Sequence, residues 1–95
     1  MKGGYVYMLA NHINGTVYTG VTSNLPKRIW EHKEGVVEGF TKKYGIKMLV
    51  WYEEHSTIEE AIAREKQLKN WKRAWKLQLI NQLNPKWYDL YESII

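Results

Sequence analysis

The chain has 95 residues, of which 44% are hydrophobic and 14% aromatic, which suits one domain over residues 1–95, because two domains would each be too small to bury a core. It contains no cysteine, which excludes a disulfide framework, a thiolate metal site and a cysteine nucleophile. It also lacks the apolar segment of a signal peptide or membrane span, so we expect a soluble, cytoplasmic protein. Fourteen lysines and arginines against ten acidic residues give a net charge of +4, which favours a polyanionic partner.

A β-hairpin is predicted near the start of the chain. Residues 4–10 and 16–21 are rich in strand-forming residues, and the sequence NHING between them contains Asn-Gly, a common hairpin turn. Alternate residues of a strand point to the same face of the sheet. Tyr5, Tyr7 and Leu9 therefore share one face of the first strand, and Tyr18 and Gly20 share one face of the second. Tyr7 and Tyr18 can therefore stand on the same side of the sheet if the register permits it.

A helix is predicted over residues 26–34, with Ser23 or Asn24 as its N-cap and a proline in its first turn. The apolar stripe of this segment consists of Leu25, Ile29 and Val36. His32 falls on the same stripe, and Arg28 lies one turn before it, so both are predicted to point inward. Taken alone, two such residues four positions apart are ordinarily a surface pair.

A short helix ending at Gly45 and a third strand are predicted next. Residues 47–53 form a mostly apolar run, which is typical of a strand in the centre of a sheet.

A second long helix is predicted to begin at Ser56 or Thr57 and to extend through Leu68. Glu59 and Glu60 suit a capping box and the positive end of the helix dipole. The apolar positions of this helix are Ile58, Ala61, Ile62 and Leu68. Glu65 occupies the same stripe, and burying an ionised carboxylate is costly without a cation, a metal ion or a hydrogen-bond donor. Glu65 therefore needs a partner.

The last predicted helix covers residues 71–83 and ends at Asn84-Pro85, and the tail after it is expected to pack back through Trp87, Leu90 and Ile94. Basic residues are concentrated around the start of this helix: Arg64, Lys66, Lys69, Lys72, Arg73 and Lys76. With Trp71 and Trp75 between them, they form a candidate surface for nucleic-acid phosphates. The alternative is an ordinary solvated helix face.

Several motifs, in this order, resemble those of the GIY-YIG endonuclease family. They are YVY at residues 5–7, YTG at residues 18–20, Arg28 four residues before His32, and Glu65 within REKQLK. The resemblance extends over nearly the whole chain and is greatest to small single-domain bacterial members, through the stretches FTKKY, REKQLKNW and NPKW. The chain departs from the family pattern at Val21, where some members have a lysine.

The resemblance implies an α/β fold, strictly α+β, with a three-stranded antiparallel sheet flanked by helices in the order β-β-α-β-α-α. It also implies cleavage of phosphodiester bonds with one divalent metal ion. Arg28 matches the arginine that holds the scissile phosphate, and Glu65 matches the metal ligand, here expected to bind Mg²⁺ or Mn²⁺. Tyr7 and Tyr18 match the two motif tyrosines, and His32 matches a neighbouring polar position.

Further residues are implied to bind substrate. Gly20 matches the motif glycine, where the missing side chain would let a phosphate approach the sheet. Asn84 is the candidate for an asparagine that the family uses near its C-terminal end, with Asn81 and Asn70 as alternatives. From the basic surface described above, we add Lys69, Lys72 and Arg73.

The chemistry of these residue types agrees with hydrolysis of a phosphodiester. The reaction needs a base for water, positive charge on the phosphate oxygens and help for the leaving oxygen. We predict that Tyr18 lies near the attacking water, that Tyr7 orients water or substrate, and that His32 relays a proton, although the two tyrosines can exchange roles. In the alternative interpretation, the tyrosines are ordinary strand aromatics and Glu65 forms a structural ion pair with Arg28.

We therefore predict a metal-dependent DNA endonuclease of the repair or recombination type. With little protein beyond the catalytic core, recognition of branched, nicked or single-stranded DNA is expected in place of a long specific sequence. One alternative is a nucleic-acid-binding module without catalysis. Another is an interaction domain whose tryptophan-rich last third binds a protein partner or a second copy of the chain.

Overall fold

The computed structural model describes residues 3–95. Eight elements follow one another along the chain: β1 (Gly4–Ala10), β2 (Val17–Thr22), α1 (Leu25–Lys33), α2 (Phe40–Lys43), β3 (Met48–His55), α3 (Ile58–Lys69), α4 (Arg73–Leu83) and α5 (Tyr91–Ile94). The α+β class and the three-stranded antiparallel sheet predicted from the sequence are confirmed. Compared with the predicted order β-β-α-β-α-α, the structure has two additional short helices, α2 and α5. Of these, the sequence indicated only α2.

The strands lie in the order β2-β1-β3, so β1 is the central strand. The prediction that residues 47–53 form a central strand is wrong, because β3 lies at an edge of the sheet. Its apolar run reflects burial on both faces, since Leu49 packs with one half of the core and Val50 with the other. The tail also covers the outer edge of β3: the Leu90 N–H donates to the Leu49 carbonyl at 2.8 Å.

The sheet separates two clusters of buried side chains. On one face, which we call the apolar face, Val6, Met8 and Val50 pack against residues of α3 and α4 such as Leu68 and Ile80. On the other, the tyrosine face, the buried members are Tyr7, Leu9, Leu25, Ile29, Ile46 and Leu49. Because β1 is buried on both sides, its alternate residues contribute to different clusters.

The register of the hairpin decides which side chains meet on the tyrosine face. Tyr7 pairs with Gly20, and Leu9 pairs with Tyr18, so the two tyrosines occupy diagonal positions. Their ring centres are 6.4 Å apart. The prediction that they share one side of the sheet is confirmed.

The helix ends follow local capping chemistry. The Asn24 side chain accepts a hydrogen bond from the Lys27 N–H, and the Thr57 hydroxyl accepts one from the Glu60 N–H at 3.1 Å. The last long helix begins at residue 73 instead of 71, with Lys72 as its N-cap.

Two predictions about the buried stripes of the helices are wrong. Val36 is 58% exposed, because α1 ends before it and helical periodicity no longer applies. Ile62 is 38% exposed, because the buried stripe of α3 runs through Ala61, Glu65 and Leu68 and leaves Ile62 at its margin. Within residues 3–95, none of the helices is both long enough and apolar enough to cross a membrane.

Candidate active site

Three aromatic rings meet on the tyrosine face, one each from β1, β2 and α1. The imidazole of His32 lies 5.7 Å from the ring centre of Tyr7 and 5.8 Å from that of Tyr18. Tyr7 and His32 are buried, whereas Tyr18 is partly exposed. The prediction that His32 points inward is thus confirmed, whereas Arg28, with 38% of its side chain exposed, is only partly buried. The rings join the two motif tyrosines to α1.

Gly20 makes room for the phenol of Tyr7. A Cβ atom built at Gly20 would lie 2.4 Å from the phenol oxygen of Tyr7, far inside contact distance. The glycine is therefore needed to let the Tyr7 ring lie across β2. A role for Gly20 in the approach of a substrate phosphate stays a prediction.

A chain of hydrogen bonds runs from Tyr7 through His32 to Thr41. The phenol oxygen of Tyr7 is 2.9 Å from His32 Nε2, and His32 Nδ1 is 3.1 Å from the hydroxyl of Thr41. Burial and, to a lesser extent, the charge of Arg28 lower the pKa of His32 to about 4, with Glu31 acting in the opposite direction. The imidazole is therefore neutral near pH 7, with one nitrogen donating and the other accepting.

Burial also controls the ionisation of Tyr7. It raises the pKa of the phenol to about 12, while the neighbouring Arg28 guanidinium favours the phenolate and opposes the rise. Arg28 itself donates to a carboxylate oxygen of Glu31 at 3.2 Å. Arg28 therefore lies where it can act on both Tyr7 and an incoming anion.

Glu65 is buried, with 9% of its surface exposed, and its partner is Lys69. The ammonium of Lys69 is 2.8 Å from Glu65 Oε2 and 5.9 Å from the ring centre of Tyr18. The hydrogen bond with Glu65 raises the pKa of Lys69. The alternative ion pair between Glu65 and Arg28 is not formed, because each residue has another partner.

The donor set around Glu65 suits a metal ion held by one carboxylate. Within residues 3–95, no group of three or more His, Cys, Asp and Glu side chains could hold a metal ion. A Mg²⁺ ion often takes only one or two protein carboxylates and completes its shell with water and phosphate oxygens. The Lys69 ammonium on Glu65 indicates that this carboxylate can accept a cation from the solvent side.

A polar cleft of about 430 Å³ adjoins Arg28 between the end of β2 and the first turn of α1. Thr22, Ser23 and Lys27 line it together with Arg28 and its ion-pair partner Glu31. Val21, the position that departs from the family pattern, lines it as well. Hydroxyl, ammonium and guanidinium groups on one concave surface can accept a phosphate-containing ligand.

Asn84 lies in a network that supports the fold. Its side-chain N–H groups donate to the carbonyls of Val50 and Tyr88, at 3.1 and 2.8 Å, and its oxygen accepts from the Tyr88 N–H at 3.0 Å. These hydrogen bonds hold the tail against β3. A contact between Asn84 and substrate stays a prediction.

Two of the predicted phosphate-binding residues, Lys72 and Arg73, lie at the start of α4. Arg73 donates to the carbonyls of Asn14 and Gly15 at 2.9 and 2.7 Å, which fixes the hairpin turn to this helix. Lys72 is exposed. Of the two neighbouring tryptophans, Trp71 packs against the apolar face and Trp75 is 48% exposed, so Trp75 is the one available for stacking.

Thr41 is the residue of this cluster that the sequence analysis did not assign. It lies in the FTKKY stretch, but neither periodicity nor spacing indicates that the short helix α2 packs against His32 of α1. The contact is tertiary, and only the resemblance of that stretch to the family could have suggested it.

Comparisons with known proteins identify the family and the fold. The family model described as the GIY-YIG catalytic domain matches residues 3–84. A UPF0213 protein of Syntrophus aciditrophicus is 40% identical over 87 residues, which cover 90% of this chain and 98% of that protein. A UPF0213 protein of Clostridium perfringens is 39% identical over 82 residues, with 86% and 87% covered. The solution NMR structure of a UPF0213 protein from Bacillus halodurans is 30% identical and covers 92% of each chain with a TM-score of 0.57.

Proposed function

Since the chain belongs to the GIY-YIG family, whose catalytic domains are generally nucleases, we propose that it is a metal-dependent endonuclease that hydrolyses DNA phosphodiester bonds. The observation that supports this most strongly is the cluster on the tyrosine face. Tyr7, Tyr18 and His32 lie in ring contact, Arg28 acts on Tyr7, and Glu65 reaches Tyr18 through Lys69. The residues proposed as base, phosphate-binding cation and metal ligand are thus neighbours.

In the proposed reaction, Arg28 binds the scissile phosphate, for which its planar guanidinium is suited. Mg²⁺ or Mn²⁺ bound by Glu65 would supply positive charge to the phosphate and the leaving oxygen. Tyr7 is the stronger candidate for proton transfer, because its oxygen has a hydrogen bond to His32 and an arginine beside it. With its pKa at about 12, only a small fraction of Tyr7 is phenolate near pH 7. This phenolate accepts a proton from the attacking water as the water oxygen bonds to phosphorus. The bond from phosphorus to the leaving sugar oxygen breaks, and the leaving oxygen takes a proton from solvent.

Tyr18 then has the role first given to Tyr7, that of orienting water or substrate. Its ring is partly exposed and lies beneath the Lys69 ammonium. If a metal ion replaced the Lys69 ammonium on Glu65, the ammonium would be free to contact a phosphate oxygen. Its position beside Glu65 and Tyr18 supports the prediction that Lys69 contacts substrate.

The preferred substrate is proposed to be branched, nicked or single-stranded DNA. The cationic groups around the site suit backbone phosphates, which are the same for every base sequence. The exposed indole of Trp75 suits stacking on an unpaired base. A role in DNA repair or recombination would follow from such a preference. The cytoplasmic location and the single-domain organisation over residues 1–95 stay predictions.

The test is cleavage of a labelled panel of duplex, single-stranded, flap, nicked and branched DNA with Mg²⁺, Mn²⁺ or EDTA. We expect products only with metal, and a loss of at least about 100-fold in Glu65→Gln, because the neutral amide keeps the shape but not the charge of the ligand. Glu59→Gln is the matched control, since Glu59 is exposed in the same helix.

If the folded protein leaves every substrate intact with either metal, the endonuclease proposal is wrong. Binding to DNA that weakens with salt would then favour the non-catalytic module.

A further inference from the structure

We propose that Phe40 and Tyr44 form a stacking surface for an unpaired DNA base beside the candidate active site. Both residues belong to the FTKKY stretch, and the reaction described above gives neither of them a role. That the ligand is DNA rests on the proposed endonuclease function, whereas the aromatic surface is a property of the folded chain.

The two aromatic side chains contact each other at the protein surface. Phe40 is 49% exposed and Tyr44 is 51% exposed, and neither belongs to the buried clusters on the two faces of the sheet. Their ring centres are 4.9 Å apart, and the ring planes are tilted by 56°. Because the rings are not stacked on each other, ring faces are open to solvent. Such a pair contributes little to the core, and exposed aromatic surface of this kind is typical of a binding site.

The backbone holds both rings on one side of the short helix α2. The Tyr44 N–H donates to the Phe40 carbonyl at 3.1 Å, and residues four apart in a helix lie on the same side. The N–H of Ile46, a fully buried residue of the tyrosine face, donates to the Thr41 carbonyl at 2.9 Å. The surface is therefore formed before a ligand binds, which lowers the entropic cost of binding.

The same helix contacts the candidate active site. The hydroxyl of Thr41 is 3.1 Å from His32 Nδ1, and His32 Nε2 is 2.9 Å from the phenol oxygen of Tyr7. Trp75, in contrast, belongs to α4, which packs on the apolar face. A base stacked on Phe40 or Tyr44 would therefore belong to a nucleotide near the scissile phosphate.

The charges around the rings match a nucleic-acid backbone. Residues 40–47 contain three lysines and no acidic residue. Lys42 is paired with Glu38, whereas Lys43 has no carboxylate partner among residues 3–95 and its ammonium lies 5.3 Å from the ring centre of Tyr44. An aromatic face for a base, with a cation beside it for the phosphate, is how proteins bind single-stranded nucleic acids. Charge complementarity thus favours DNA over a neutral apolar partner.

The experiment is fluorescence anisotropy in EDTA with three labelled probes: a short oligothymidine, an abasic oligonucleotide of the same length and a duplex. The first two have the same phosphates, and only the oligothymidine has unpaired bases. We expect the wild type to bind oligothymidine about 5- to 100-fold more tightly than the abasic probe, the range expected for stacking of one base.

The variants remove the flat rings and keep apolar side chains. Phe40→Leu combined with Tyr44→Leu should abolish the preference for oligothymidine and leave binding of the abasic and duplex probes unchanged. Phe40→Tyr combined with Tyr44→Phe retains both rings and should bind like the wild type. Tyr88→Leu is the matched control, because Tyr88 is a 64% exposed tyrosine outside this surface.

Equal affinity of the wild type for oligothymidine and the abasic probe would overturn the inference, and this comparison needs no variant. A preference that survives in the double leucine variant, or that Trp75→Leu alone removes, would overturn it as well. Because binding is measured without metal, the result is independent of cleavage. A base preference in a protein that cleaves no DNA would leave the stacking surface standing and refute the endonuclease proposal, and cleavage without a base preference would do the reverse.

Discussion

The two faces of the sheet bury side chains of different chemistry, although the same strand supplies both. From β1, Val6 and Met8 enter the apolar face, whereas Tyr7 enters the tyrosine face next to His32 and Thr41. The apolar face gains stability from the removal of hydrocarbon from water. The tyrosine face retains buried polar groups, which are tolerated because each one has a hydrogen-bond partner.

This difference indicates a division of roles. A polar group that is buried and paired is held in one geometry, as a reacting group requires, but it adds little net stability. Close-packed aliphatic side chains add stability but no chemistry. We therefore expect substitutions on the apolar face to change mainly the free energy of unfolding, and substitutions on the tyrosine face to change mainly activity and its dependence on pH.

The largest stability effect is expected on the apolar face. Leu68→Ala should lower the free energy of unfolding by about 2–5 kcal/mol, because Leu68 is fully buried and the substitution leaves a cavity. Urea denaturation measures the change. Ile62→Ala in the same helix is the control, because Ile62 is 38% exposed. An equally large loss of unfolding free energy in Ile62→Ala would contradict the expectation that only the buried position of α3 contributes strongly.

The tyrosine face should give stability a dependence on pH. Since the pKa of His32 is about 4 in the folded protein and 6.5 for an ordinary histidine, the unfolded chain takes up a proton first as the pH falls. Stability is then lost between these two values, by about 2–3 kcal/mol. Urea midpoints of the wild type and His32→Gln, compared over this range, measure the effect.

In His32→Gln this part of the pH dependence should disappear. His12→Gln is the control, because His12 is exposed in the hairpin turn, and it should behave like the wild type. A wild-type protein as stable near pH 4.5 as near pH 7 would show that the buried imidazole is not held neutral.

Sequence alone was sufficient where a feature depends on local periodicity. Alternation along two strands placed Tyr7 and Tyr18 together, and helical spacing placed His32 and Glu65 on buried stripes. The i, i+4 spacing of Glu65 and Lys69 is also visible in the sequence. It was not used to predict their ion pair, because Lys69 lies outside the apolar stripe.

The features that the sequence did not predict depend on tertiary packing. The edge position of β3 was not predicted. An apolar run indicates that both faces of a strand are buried, but it does not indicate how many strands lie beside it. The contact between Thr41 and His32 joins two helices whose relative position no spacing rule fixes. The exposure of Val36 follows from where α1 ends, and helix boundaries are the least certain part of any sequence-based prediction.

The smallest expected effect compares two buried threonines on opposite faces. Thr19 lies on the apolar face, and within residues 3–95 its hydroxyl has no hydrogen-bond partner, whereas that of Thr41 has His32. Thr19→Val should therefore leave stability unchanged or raise it by up to about 1 kcal/mol, because the substitution removes an unpaired polar group and keeps the shape. Thr41→Val should lower stability, because it leaves His32 Nδ1 without its hydrogen-bond partner. Urea denaturation of the two variants measures the difference, and equal losses would mean that the hydroxyl of Thr19 has a partner and that the apolar face is not purely apolar.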